Sequence, residues 1–298
     1  MSSAFPDGWY IPRRPLEGCL IEPGVLLGVG SAAAWGTGDF AGGLAARRAG
    51  GMLVTGGSQV VGFMLLLLAV AVLQPTAPAA QTIALGALGG IAGGLGLAAL
   101  YRGLAMGAMG LVSAVSGVGG VLIPLTVGVL LWGNAVGPLQ LAGVGCALVA
   151  VAAASGATAR GVSREGVLLA LAAALGFGLW FVFLGRAAQD DQLWALVASR
   201  GSASIVVGGS ALLRANRSGL RGVAPLIAAA GLLDVAANGM VVLAFATIPV
   251  GIAAALSGTY PLATMILART VLHEALPRLG LLAFALAVAG IVLISLGS

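Results

Sequence analysis

Gly110-Leu111-Val112-Ser113-Ala114-Val115-Ser116-Gly117 returns later in the chain as Gly251-Ile252-Ala253-Ala254-Ala255-Leu256-Ser257-Gly258. Outward from this pair, Ala34-Trp35-Gly36-Thr37-Gly38 opens one hydrophobic span and Ala174-Leu175-Gly176-Phe177-Gly178 opens another. Trp132-Gly133-Asn134 falls near the place of Leu272-His273-Glu274. The offset is about 140 residues each time, so the chain reads as two copies of one unit. Each copy holds an odd number of apolar spans, so the second enters a membrane in the opposite orientation. An inverted repeat of this kind points to a transporter, with a site near the bilayer midplane where the copies meet.

Composition agrees. Hydrophobic residues are 60% of the chain and charged residues 8%, against about 25% charged in a soluble domain. Lipid, not water, solvates such a surface. All 14 basic residues are Arg, and they are scattered through short loops. The pI near 10.2 is therefore a matter of topology rather than of nucleic-acid binding. Cys19 and Cys146 stand far apart, so no disulfide framework or metal spacing exists.

A membrane helix needs roughly 20 apolar residues. Ten stretches qualify: 23–44, 52–73, 81–102, 110–132, 137–155, 165–185, 192–213, 223–245, 250–271 and 277–296. The expected fold is an all-α polytopic membrane protein, its ten transmembrane helices forming two inverted five-helix repeats. The expected divisions are a polar N-terminal segment at 1–22, a first repeat at 23–155 and a second at 165–297. Gly86, Gly90 and Gly94 recur every four residues in the third span, so that face should pack closely on another helix. Pro124 and Pro261 fall inside the fourth and ninth spans at nearly corresponding places, and each is expected to interrupt its helix. Gly36-Thr37-Gly38-Asp39-Phe40-Ala41 imitates a dinucleotide fingerprint, but no strand precedes it.

The segment Gly251 to Gly297 carries Ser257, Tyr260-Pro261 and Glu274 just past an apolar span. It resembles the second half of an EamA domain in the drug/metabolite transporter superfamily. With Trp35-Gly36 and the duplication, the resemblance extends over residues 24 to 297. The first copy departs from the pattern: Gly120 stands where Pro261 stands in one alignment, and Asn134 replaces the acidic residue. The resemblance implies transport of amino acids, drugs, other metabolites or sugar conjugates, without choosing among them.

Charges inside a membrane span are costly and usually functional. Asp39, Arg102, Arg200, Asp234 and Arg269 are the candidates. Arg102 and Arg269 lie near span ends, where snorkelling explains them. Arg200 lies roughly 12 Å into span seven at 1.5 Å per residue. Asp234, entering from the other face, lies about 14 Å from the same face of a core about 30 Å thick. The two are nearly level on neighbouring antiparallel helices, which opens an ion pair that is either structural or part of transport. Asn238 lies one turn after Asp234 on the same face. Asp39 approaches the end of span three, so Arg102 is a candidate partner. Trp35, Gln59, Tyr101, Ser113, Ser116, Trp180, Ser257 and Tyr260 could complete a cavity of aromatic walls and a few polar groups.

With ten spans both termini share one side. The opposite side carries Arg47, Arg48, Arg160, Arg164, Arg214, Arg217, Arg221 and Arg278, against Arg13, Arg14 and Arg186 on the terminal side. The positive-inside rule places the termini outside; the resemblance implies the reverse.

The function expected is secondary transport across a bacterial inner membrane, by alternating access and in the direction of export. The cargo is a small metabolite, an amino acid or similar by resemblance. A lipid-linked sugar or nucleotide-sugar carrier is the rival within transport, and a structural membrane protein the rival outside it. Lone His273 and scattered carboxylates supply no catalytic or metal centre, and no Walker motif is present. No cofactor is expected, and a proton carried by Asp39 or Asp234 is the candidate coupling ion. The expected partners are the substrate and the bilayer, with no nucleic acid, in a monomer or homodimer.

Overall fold

The computed structural model describes residues 23–73, 76–132, 136–157, 163–210, 222–245, 247–248, 256–275 and 277–296. Among them every regular element is helical. They are α1 (Pro23–Ala49), α2 (Gly51–Leu73), α3 (Ala80–Ala105), α4 (Met109–Trp132), α5 (Pro138–Ala157), α6 (Arg164–Ala187), α7 (Gln192–Ala203), α8 (Ala224–Phe245), α9 (Tyr260–Val271) and α10 (Arg278–Leu296). The N-terminal segment 1–22 lies outside the described residues, as does the loop bearing Arg214, Arg217 and Arg221.

Local chemistry sets the helix ends. Gly50 alone separates α1 from α2. Its φ of 81° is open to glycine without steric cost, and its N–H closes the first helix on the Ala46 carbonyl at 2.9 Å. Ser163 caps α6 by accepting from the Gly166 N–H at 3.2 Å, and Asp191 caps α7 by accepting from the Trp194 N–H at 3.0 Å. These satisfy donors that a helix start leaves free.

The segments 51–73, 80–105, 109–130, 164–187 and 224–241 are each long and apolar enough to cross a membrane. Large apolar side chains point outward, among them Val72, Leu130 and Ile205, each at least 73% exposed. A surface of this kind suits lipid rather than water.

Spans seven and nine differ from their expected course. α7 passes into a π-helical turn at Ser204–Gly208, one turn after Arg200. Such turns widen a helix by one residue and occur often at functional sites. In the described part of the ninth span, helical residues 256–258 and the helix α9 from Tyr260 are separated by a break at Thr259. Pro261 stands in the first turn of α9, directly after that break. It has no N–H to donate, and a first turn does not need one. Pro124 does lie inside α4.

Pairings between the two halves dominate the packing. α3 lies on α6, and α1 on α8; α4 lies on α6, and α1 on α9; α3 lies on α7, and α2 on α8. α5 packs on α10 and α4 on α9. The Gly86, Gly90 and Gly94 face is the α3 side of the α3–α7 contact. A methyl group added at Gly86 would come 2.7 Å from the Ala195 carbonyl oxygen, and one at Gly94 2.9 Å from the Ala203 Cβ. At Gly90 the added methyl would collide with the Ser199 carbonyl. The small face thus brings the backbone carrying Ser199 and Arg200 against α3. The largest buried cluster, including Tyr101, Leu104, Met109, Val112 and Val167, fills the end where α3 finishes and α4 and α6 begin.

Candidate functional site

α1 presents Trp35 and Asp39 one turn apart, on one face. α2 contributes Gln59, α8 Asp234 and α9 Tyr260. α6 supplies Phe177, Trp180 and Phe181 at helical spacing, and α7 supplies Ser199, Arg200 and Ala203. With Gly90, Gly93, Gly94 and Leu97 of α3, these residues line a cavity of about 660 Å³, its open mouth included.

One wall is a connected polar cluster. Arg200 Nη1 lies 2.5 Å from Asp234 Oδ2 and donates to Gln59 Oε1 at 2.8 Å. Trp35 Nε1 donates to Asp234 Oδ1 at 3.0 Å, and Asn238 Nδ2 reaches the same oxygen at 3.3 Å. The guanidinium is buried and the Asp234 side chain 23% exposed. Two charges removed from water in this way cost several kcal/mol each unless paired. Gln59, Trp35 and Asn238 take up part of what the ion pair leaves over. The cluster joins α7, α8, α1 and α2, which are elements of both halves.

The other wall is aromatic. Trp35 and Tyr260 meet edge to face with centroids 6.3 Å apart, and Trp180 meets Phe181 at 4.7 Å. Trp180 Nε1 donates to Ser199 Oγ at 3.0 Å, so both indole N–H groups are engaged within the wall. Asp39 is 9% exposed and has no hydrogen-bond or ion-pair partner among the described residues.

Residues 164–296 match the model of the EamA-like transporter family. The second half of the chain is an EamA domain. No curated protein matches the sequence. One solved crystal structure covers 92% of this chain and 97% of its own, at 17% sequence identity and a TM-score of 0.60; the likeness is one of fold. The match is consistent with an EamA-type transporter of the drug/metabolite transporter superfamily, and with the apolar helices it indicates a multi-pass membrane protein.

The EamA domain provides Trp180, Arg200, Asp234 and Tyr260 to the cavity, and the first half provides Trp35, Asp39 and Gln59. The ion pair expected between spans seven and eight is present. The remaining candidates lie away from the lining. Tyr101 is 2% exposed and packs over Gly42, where an added methyl would strike its ring. Arg102 is not the partner of Asp39: its side chain is 65% exposed, and its Nη2 meets Glu165 Oε1 of α6 at 2.6 Å. The end of α3 reaches the surface there, so a carboxylate in water is the nearer counter-charge. Ser116 is buried and donates to the Ser113 carbonyl of its own helix at 2.8 Å. Ser257 lies 3.5 Å from the Gly28 carbonyl, in the α1–α9 packing. Asn238 stands behind Asp234 and holds it, also donating to its carbonyl at 2.6 Å.

Phe177, Phe181 and Ser199 are lining residues that sequence reasoning missed. The signal was available: Phe177 and Phe181 sit three before and one after Trp180, on its side of α6, and Ser199 adjoins Arg200. Glu274 of the EamA domain has a different setting. It meets Arg47 Nη2 at 2.6 Å and accepts the Met109 N–H at 2.9 Å, which ties the ends of α9 and α1 to the start of α4.

Proposed function

We propose that this chain is a secondary transporter that exports a small amphipathic metabolite across a bacterial inner membrane. It works by alternating access around the cavity of Trp35, Asp39, Arg200 and Asp234. Its ten helices act as two inverted five-helix repeats. Three pairings between the halves support this: α3–α6, α4–α6 and α3–α7 become α8–α1, α9–α1 and α8–α2 when the halves are exchanged. An arrangement of this kind can rock about the site at its interface. Asp39, with no described partner, is the carboxyl we assign to a coupling proton.

The observation that carries the reading is the buried Arg200–Asp234 pair with its neutral bonds, set in an aromatic-walled cavity where both halves meet. Membrane proteins seldom hold such charge away from a transport path. The test is counterflow in proteoliposomes. Vesicles preloaded with unlabelled metabolite should accumulate the labelled compound transiently, and empty vesicles should not. Absence of counterflow across a panel of amines, amino acids and organic anions would remove the transport reading.

A further inference from the structure

We infer that the cavity selects an organic cation, an ammonium group on an apolar body, over a zwitterion or an anion. The inference rests on the transport reading and names the substrate class of the same site.

Among the described lining residues the charged groups are Asp39, Arg200 and Asp234. Arg200 is the one cation among them, and it is already engaged: Asp234 Oδ2 and Gln59 Oε1 both take its Nη1. A substrate carboxylate at the remaining guanidinium donors would bring a further negative charge close to Asp234 and Asp39 in a buried site, which like-charge repulsion disfavours. The second oxygen of Asp234 is held by Trp35 and Asn238. The charge left over is the Asp39 carboxyl, 9% exposed, facing the cavity and without a described partner. A buried carboxylate lacking a counter-charge is costly, and a bound ammonium supplies one. Trp35, Trp180, Phe177 and Phe181 surround the same space. Aromatic rings attract cations within about 6 Å of their centroids, most strongly when water is excluded. Because both indole N–H groups are committed to the wall, the tryptophans offer the substrate their ring surfaces rather than hydrogen bonds. One free carboxyl among aromatic rings is complementary to a positive charge on an apolar group.

The test uses three compounds with the same phenyl body and different charge: phenethyltrimethylammonium, phenylalanine and 3-phenylpropionate. Binding to the full-length protein in nanodiscs is followed by tryptophan fluorescence, and counterflow of each is measured in proteoliposomes. The expected result is binding and counterflow of the ammonium compound in preference to the other two. Asp39→Asn should weaken the ammonium by about tenfold or more, as loss of a charge-assisted contact does, and Asp39→Glu should recover part of it. Trp180→Leu should weaken it as well. Monodisperse elution of each variant separates lost binding from lost folding. Preference for phenylalanine or phenylpropionate overturns the inference and leaves transport standing. Ammonium binding without counterflow of any compound upholds the inference and removes transport. No binding of the ammonium compound overturns the inference, and if nothing is exchanged either, transport falls with it.

Discussion

Arg200 and Asp234 show what a single residue in this chain has to satisfy. Each alone would be a charge stranded among apolar helices; together, with Gln59, Trp35 and Asn238, they form a connected set of bonds. Replacing either by Ala should therefore cost ~3–5 kcal/mol, with the double replacement costing less than the two singles combined. Thermal melting of the purified variants in one detergent would measure this, and simple additivity would refute the coupling. Depth alone made this pair legible in the sequence, because counting residues along two antiparallel spans puts the charges level. Counting could not place Arg102. Its partner Glu165 belongs to the first turn of α6, and nothing in the chain announces which helix ends lie side by side at the surface.

Helices contribute to the site through their small faces and their ends. Gly90 of α3 admits the backbone of Ser199, so Gly90→Ala should push α7 away and destabilise by ~1–3 kcal/mol. Gly145→Ala is the control, since no atom lies within 4 Å of the added methyl there; its melting temperature should be unchanged or slightly higher. The four-residue spacing of glycine made the tight face readable, although which helix it receives was not. Glu274 gives a second prediction at this scale. Its hydrogen bond to the Met109 N–H caps α4, whereas its pairing with Arg47 is partly open to water. Loss of a cap costs about 1 kcal/mol, and an exposed pair typically under ~1 kcal/mol. Glu274→Ala should lower the melting temperature more than Arg47→Ala. Equal effects would mean that the ion pair, not the cap, is what Glu274 provides. Regular periodicity through residues 250–271 hid the break at Thr259, because a proline in a first turn and a proline in a helix interior look the same in sequence.

At the scale of the whole molecule the recurring motifs were the most legible feature, and the helix pairings across the halves are those that the proposed inverted repeat would make. The charged residues do not follow that symmetry. Asp39, Arg200 and Asp234 have no charged residue about 140 positions away in the other half, so on the proposed repeat the cavity is the specialised part. The arginine bias predicts external termini. In a Cys146→Ser variant Cys19 is the sole thiol, and an impermeant maleimide added to intact cells should then label it; protection of Cys19 until the cells are opened would reverse the orientation. The central claim is that the cavity opens to each side in turn. Ser199→Cys, in a background without Cys19 and Cys146, places one thiol in the lining. Labelled with an impermeant maleimide in oriented vesicles, it should react from either face, with substrate altering both rates. Reaction from one face only, whatever substrate or gradient is imposed, would contradict alternating access.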